Sequence, residues 1–404
     1  MSLVTRARPL LVALSLAFAT LTVVAAPAHA DGPGSGTPYV VSVGDSYISG
    51  EAGRWAGSSN DSSARSDAGG GTAYFDNASN TAEQINRCHR SKSAEIYIGG
   101  GVQGLNLACS GAKTATSDGS DFKPGLDFYD NGAGKQGQAL MLQQFAATHN
   151  VRMVAVSIGG NDFNFASVVQ SCVTDFLTSP SWWKDYCKDD SSVVANFTTS
   201  NVSLVKTRIA NAYANVRTAM RNAGYADSSW TLLVQNYPSP VPNGSGFRYS
   251  ESGYTRQNTG GCGFWNADAD WANNTALPTI NSTVTGAISQ AGITNARTLN
   301  LSSTFNGRRL CEGGVGLYEE VGLANWTAPT AVDRTEWVNQ IRTVTTAGSS
   351  PYYIQESLHP NYWGQLATRS CVRQAYNAGA PRSGSCVRTG TGLTSAGEPR
   401  MTLQ

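Results

Sequence analysis

The chain has 404 residues, of which 40% are hydrophobic and only 14% are charged. Its 29 lysines and arginines nearly balance its 28 aspartates and glutamates, which leaves a net charge of +1. Charge therefore gives no reason to expect a nucleic acid or an anionic membrane as a partner. The chain is long enough to bury a large core within one large domain.

The first 30 residues predict an export signal. Arg6 and Arg8 precede an apolar stretch that runs from Leu10 to Ala26, and Ala28, His29 and Ala30 follow it. This pattern is typical of a signal peptide cleaved after Ala30, so residues 31–404 are expected to form a single secreted domain. No later stretch approaches the roughly 18 apolar residues of a membrane span. Stable insertion into a membrane is therefore not expected, and the protein is expected to be a monomer.

All eight cysteines follow the predicted cleavage point, and an even number in an exported chain predicts disulfides. The sequence alone leaves many pairings open. The simplest expectation pairs nearest neighbours: Cys88 with Cys109, Cys172 with Cys187, Cys262 with Cys311, and Cys371 with Cys386. Because the chain has no Cys-x-x-Cys pair and few histidines, a structural zinc site is not expected.

Apolar runs and helical patterns alternate along the chain. The helical patterns are 137–149 and the stripe of apolar residues between Val202 and Met220. Short apolar runs predict strands that are buried on both faces; they are Tyr39 to Val43, Val102 to Leu107, Val151 to Ile158, Trp230 to Tyr237 and Ala296 to Leu301. Together these elements predict an α/β fold, a three-layer α/β/α sandwich around a mostly parallel five-stranded sheet.

Two regions exceed what a minimal α/β domain needs, 238–274 and 302–353. They predict a cap or loop insertion within residues 238–353. Four tryptophans in these regions are expected to pack rather than to bind substrate; they are Trp265, Trp271, Trp326 and Trp337.

Ser46 follows the first strand within the segment Gly44-Asp45-Ser46-Tyr47-Ile48-Ser49-Gly50. Ligands of open α/β sheets bind at the carboxyl ends of strands, which is where this hydroxyl lies. The segment is also compatible with an ordinary turn and helix cap. Ser46 is therefore a candidate nucleophile that needs further support.

Three histidines remain after the predicted cleavage, and one of them is suited to serve as the base for Ser46. His149 ends a predicted helix and is expected to be structural. His89 has no acidic residue next to it in sequence, although it could contact substrate. His359 follows Glu356 by three residues, a spacing at which a carboxylate can bind Nδ1 and leave Nε2 free to accept a proton.

Gly111 and Asn161 follow the second and third predicted strands and are candidates for an oxyanion hole. Gly111 can offer an unobstructed backbone N–H, and Asn161 can offer a side-chain amide. Each is also compatible with an ordinary turn. Both follow strand ends, as Ser46 does, so they are expected at the same edge of the sheet.

These segments resemble the four blocks of the SGNH hydrolases, the GDSL-type esterases and lipases. Cys88-His89-Arg90-Ser91 and Ala108-Cys109-Ser110-Gly111-Ala112 further resemble secreted actinobacterial members. The resemblance implies a flavodoxin-like fold and ester hydrolysis without a metal or other cofactor. It also implies that Ser46 is the nucleophile and first oxyanion donor, that Gly111 and Asn161 complete the hole, and that His359 is the base.

One position departs from the family pattern, because Glu356 stands where most members have aspartate. Glu356 is predicted to orient His359, and the alternative is a backbone carbonyl, which some members use. The expected substrate is a small-molecule or lipid carboxylic ester. Carbohydrate O-acetyl esters are the main alternative, and a non-catalytic secreted binding module on the same scaffold is a third reading.

Overall fold

The computed structural model describes residues 32–343 and 352–404. Five parallel strands form the centre of the molecule, in the order β2-β1-β3-β4-β5. This is the flavodoxin-like order, so the predicted fold class is confirmed. The strands are β1 (Pro38–Gly44), β2 (Gln103–Asn106), β3 (Asn150–Ser157), β4 (Thr231–Gln235) and β5 (Ala296–Asn300).

The sheet has seven strands in the described residues rather than the predicted five. β6 (Gly384–Leu393) pairs parallel to β5, and β7 (Pro399–Leu403) pairs antiparallel to β6. Most residues of β6 are partly or fully exposed. Because β6 is rich in glycine and threonine, it lacks the apolar run by which the inner strands were predicted.

Helices cover both faces of the sheet. The longer ones are α1 (Gln138–Ala146), α2 (Phe165–Thr178), α3 (Thr199–Asn222), α4 (Leu277–Gln290) and α5 (Tyr362–Tyr376). Shorter helical segments are Ser46–Ser49, Ser191–Val194, Thr255–Asn258, Asn266–Trp271, Ala272–Ala276 and Ala331–Arg334. A two-stranded hairpin joins Ser117–Asp118 to Phe122–Lys123.

The two faces of the sheet bury separate apolar cores, as a three-layer sandwich requires. Along β1, Val40 points into one core, while Val41 and Val43 point into the other. The second core is closed by α1, α3 and α4, and the first by α2, α5 and the two long regions. The alternation follows from the period of two along a strand.

The eight cysteines form four disulfides between nearest neighbours in sequence: Cys88–Cys109, Cys172–Cys187, Cys262–Cys311 and Cys371–Cys386. Cys262–Cys311 joins the two long regions to each other. Within 238–353, α4 and β5 belong to the α/β sandwich, so these regions flank core elements rather than forming one continuous insertion. The four tryptophans pack against the core or within it.

The predicted export signal, residues 1–30, lies outside the described residues. Across 32–343 and 352–404, no helix combines the length and the apolar character needed to cross a bilayer.

Candidate active site

Ser46 lies at the start of a short helix directly after β1. Gly44 has φ of 134°, and a Cβ at this position would lie 1.9 Å from the carbonyl oxygen of Ser157, so only glycine fits between the strands. Asp45 caps the helix, because its carboxylate accepts a hydrogen bond of 3.1 Å from the backbone N–H of Tyr47. The strand and the cap together fix the position of the Ser46 hydroxyl.

His359 contacts Ser46, as the sequence predicts. Its Nε2 lies 2.7 Å from Ser46 Oγ, and its Nδ1 lies 2.9 Å from the backbone carbonyl oxygen of Ser357. Because a carbonyl can only accept, Nδ1 carries the proton and Nε2 is the acceptor for the serine hydroxyl. Burial lowers the pKa of His359, which favours the neutral base.

The structure does not bring the carboxylate of Glu356 to His359, and this corrects the predicted orienting contact. Within the described chain, Glu356 is buried and accepts hydrogen bonds from Trp55 Nε1 at 2.9 Å, from the backbone N–H of Tyr353 at 3.1 Å and from the hydroxyl of Tyr74. The Ile354–Glu356 turn directs the side chain inward. The carbonyl of Ser357, the alternative left open by the sequence, occupies Nδ1.

Replacing Glu356 by Gln is expected to change how stability depends on pH and to have only a small effect on the rate of ester hydrolysis. Burial, and secondarily the charge of Glu51, raises the pKa of Glu356 from 4.5 to about 7. The folded state therefore favours the neutral acid, and the stability that the neutral acid contributes is lost as pH rises from 4.5 through 7. Relative to the wild type, E356Q should gain about 3 kcal/mol of unfolding free energy across this interval.

Urea unfolding of both proteins at pH 4.5, 6 and 8 measures this gain, and a difference that does not vary with pH would contradict it. The rate of ester hydrolysis should fall less than about tenfold, because Glu356 does not contact His359. If Glu356 did orient His359, the change to an amide should cost far more, as in serine proteases, where the equivalent change costs about 10⁴-fold.

The predicted oxyanion residues lie beside Ser46, in two loops that are tied together. Asn161 Nδ2 donates to the carbonyl oxygen of Ala112 at 2.9 Å, and the carboxylate of Asp162 accepts from the backbone N–H of Thr114 at 3.0 Å. Gly111 has φ of 81°, a left-handed conformation that glycine adopts readily. One hydrogen of the Asn161 amide is thus committed to Ala112, and the described residues show no second hydrogen-bond acceptor for this nitrogen.

A cleft of about 560 Å³ opens over Ser46, Gly111, Asn161 and His359. One wall is a stripe of α2 with a spacing of four residues, which places its side chains on one face of the helix. Ile341 and Ile354 also line the cleft. The stripe consists of Phe165, Val169, Val173 and Leu177. The site therefore combines a polar end at Ser46 with a largely apolar wall.

A second, smaller recess of about 30 Å³ also borders Ser46 and Asn161. It is enclosed by residues such as Tyr237, Leu277 and Ile280. Its volume suits a group of one or two heavy atoms.

The other two histidines differ in their surroundings. His149 stacks on Phe145 and contacts its carbonyl oxygen at 2.9 Å, which agrees with the predicted structural role. His89 is buried, and its Nδ1 lies 2.7 Å from Glu51 Oε1. Sequence reasoning missed Glu51, because it stands 38 residues before His89; its place five residues after Ser46 was the only available signal.

No protein-family model matches the chain, and no curated protein matches it. Among solved structures, the chain is similar to an extracellular lipase from Streptomyces rimosus, with 19% identity, a TM-score of 0.42, and coverage of 85% of this chain and 100% of that chain. It is also similar to phospholipase A1 from Streptomyces albidoflavus NA297, with 18% identity, a TM-score of 0.44, and coverage of 86% and 100%. A carbohydrate acetylesterase from Sinorhizobium meliloti shares 10% identity, with a TM-score of 0.25 and coverage of 65% and 83%.

Proposed function

We propose that the protein is a secreted serine esterase of the SGNH type that hydrolyses carboxylic esters with an apolar acyl chain. The observation that carries the proposal is the 2.7 Å contact between Ser46 Oγ and His359 Nε2 at the end of the cleft. A serine and a neutral imidazole within hydrogen-bonding distance form an activated nucleophile. The resemblance of the four sequence blocks supports the same class.

In the proposed mechanism, His359 Nε2 takes the proton of Ser46 as Oγ attacks the ester carbonyl carbon. The oxyanion accepts hydrogen bonds from the backbone N–H groups of Ser46 and Gly111 and from the amide of Asn161. His359 then gives its proton to the leaving alkoxide, which leaves an acyl-enzyme on Ser46. Water, deprotonated by the same nitrogen, attacks the acyl-enzyme, and Ser46 is released with a carboxylic acid.

The carbonyl of Ser357 takes the part that a carboxylate plays in a triad. It holds the Nδ1 proton and so fixes the ring in the tautomer that leaves Nε2 free. A neutral carbonyl stabilises the imidazolium less than an ionised carboxylate does, so an anion near His359 would add to that stabilisation.

The apolar wall of the cleft favours acyl chains longer than acetyl. Burying a methylene group on such a wall contributes about 0.8 kcal/mol. The recess of about 30 Å³ supports the alternative, a carbohydrate O-acetyl esterase, because its volume suits an acetyl methyl group. A series of nitrophenyl esters from acetate to laurate, measured beside acetylated xylan, separates the two. Preference for acetate and deacetylation of xylan would overturn the assignment to longer acyl chains.

Ala166 provides a direct test of the cleft. It is exposed on α2 and lines the cleft, so A166W should fill the space of a long acyl chain. We expect kcat/KM for octanoate to decanoate esters to fall at least about tenfold, or about 1.4 kcal/mol, with little change for acetate. S167W is the matched control, because Ser167 is the next exposed residue of α2 and does not line the cleft. An equal effect of both variants on all chain lengths would contradict the placement of the acyl chain.

A further inference from the structure

A mostly buried polar cluster lies beside the proposed active site; it is formed by Glu51, Tyr74, His89, Glu356 and the half-buried Gln355. Glu51, His89 and Glu356 are buried, and Tyr74 stacks on the ring of His89 with 4.2 Å between the ring centroids. A buried ion pair is weak evidence for stability, because desolvation offsets its attraction. The position of the Glu51–His89 pair close to Ser46 is therefore more informative than its contribution to stability.

Glu51 connects three segments of the proposed site. Its backbone N–H donates to the carbonyl oxygen of Ser46 at 3.3 Å, and its Oε2 accepts a hydrogen bond of 2.9 Å from Gln355 Nε2. Gln355 Nε2 also lies 3.3 Å from the hydroxyl of Ser110, next to Gly111. Glu51 and Gln355 together thus join the nucleophile turn, the oxyanion loop and the segment that carries His359.

The segment 355–359 is held by the cluster at two successive residues. Gln355 donates a hydrogen bond to Glu51, and Glu356 accepts a hydrogen bond from the hydroxyl of Tyr74. Ser357, whose carbonyl orients His359, follows immediately. Fixing residues 355 and 356 therefore fixes the carbonyl that selects the tautomer of the base.

The cluster also provides charge. Burial would raise the pKa of Glu51, but the adjacent His89 and the hydrogen bonds to the carboxylate outweigh it and lower that pKa to about 2. Burial would likewise lower the pKa of His89, yet the charge of Glu51 raises it. Glu51 is thus ionised throughout the neutral range. Its charge favours the protonated form of His359, while that of His89 opposes it.

We propose that Glu51 is a positioning residue for the proposed hydrolysis, which holds the His359 segment through Gln355 and stabilises the imidazolium that forms on His359. This inference rests on the proposed function. Glu51 would thus support His359 from the nucleophile segment, whereas the sequence predicted Glu356 as the carboxylate that orients His359.

The expected effect of E51Q is on kcat and on the acid limb of the pH–rate profile. We expect kcat for a short-chain ester to fall at least about tenfold with KM within about twofold, since the lost contacts act after binding. The acid limb of kcat/KM should move to lower pH, because the imidazolium loses a stabilising anion. Four further ionisable groups act on the Glu51–His89 pair. One is Glu83, whose carboxylate lies 3.8 Å from His89 Nε2, and the others are Tyr74, Lys123 and Glu356.

Glu83 provides the matched control. It is a second carboxylate near His89 but does not bind Gln355 in the described structure, so E83Q should keep kcat within about twofold. E51D keeps the charge and should retain the position of the acid limb. Wild-type kcat with an unmoved acid limb in folded E51Q would overturn the proposal.

Q355A tests the positioning without removing the charge. It should lower kcat severalfold and leave the acid limb in place, and it decides the case if E51Q does not fold. Unchanged kcat in Q355A would contradict the positioning role.

If wild-type protein hydrolyses no ester, the proposed function fails separately. The role of Glu51 is then measured by the pH dependence of Ser46 labelling with a fluorophosphonate. An identical dependence in wild type and E51Q would overturn the role.

Discussion

Replacing Ser46 by Ala should lower kcat for a short-chain nitrophenyl ester by at least about 10³-fold, because the nucleophile of the acyl-enzyme route is lost. The hydroxyl is buried at the end of the cleft, with His359 Nε2 at 2.7 Å. Because Ser46 lines the cleft, removing its hydroxyl oxygen should leave the fold intact. The measurement is kcat of purified wild type and S46A at saturating substrate. Thermal unfolding of both proteins shows whether S46A is folded.

Covalent labelling provides the control for S46A. A fluorophosphonate should label folded wild type at Ser46, fail to label S46A, and fail to label wild type that has been heat-denatured, because reactivity requires His359 in place. Mass spectrometry of the labelled peptide identifies the residue. Undiminished turnover by folded S46A would show that another group carries the reaction.

Replacing Asn161 by Ala should have the next largest effect, a loss in kcat of about 10²- to 10³-fold, or about 2.7 to 4 kcal/mol of transition-state stabilisation. The side-chain amide is held toward the cleft by its hydrogen bond to Ala112, so it needs little reorganisation as the oxyanion forms. KM should change little, since the donor acts mainly on charge that develops in the transition state.

Asn164 offers a matched control for N161A. It stands three residues further along the same loop, has φ of 55°, and donates from Nδ2 to Asn196. Glycine tolerates that backbone conformation, so N164G should retain kcat within about threefold. If N161A raised KM and left kcat unchanged, Asn161 would be a binding residue and the proposed oxyanion hole would need another donor.

Much of the α/β core was predictable because its strands are buried on both faces. The apolar runs around Val40 and Val154 identify inner strands, and the stripe between Val202 and Met220 identifies α3. Strands β6 and β7 were missed, because β6 is largely exposed, β7 has only five residues, and neither contains an apolar run. The antiparallel pairing of β7 depends on contacts that no local pattern encodes.

The candidate catalytic residues illustrate the same division. Ser46, Gly111 and Asn161 follow strand ends, and parallel strands bring their carboxyl ends to one edge, so their meeting was predictable from order alone. The partner of His359 Nδ1 was not. Glu356 has a suitable spacing, but the turn that precedes Ser357 directs its carboxylate to Trp55 and Tyr74.

The sequence by itself determined the α/β class and the positions of the inner strands along the chain. It also placed Ser46, Gly111 and Asn161 after strands whose carboxyl ends share one edge of a parallel sheet, because an apolar run and the residues that follow it are local properties. The tertiary structure decided that a backbone carbonyl orients His359 and that Glu51 pairs with His89. Those contacts join residues far apart in sequence, and which carboxylate reaches which imidazole depends on backbone direction and burial that arise only when the loops pack together.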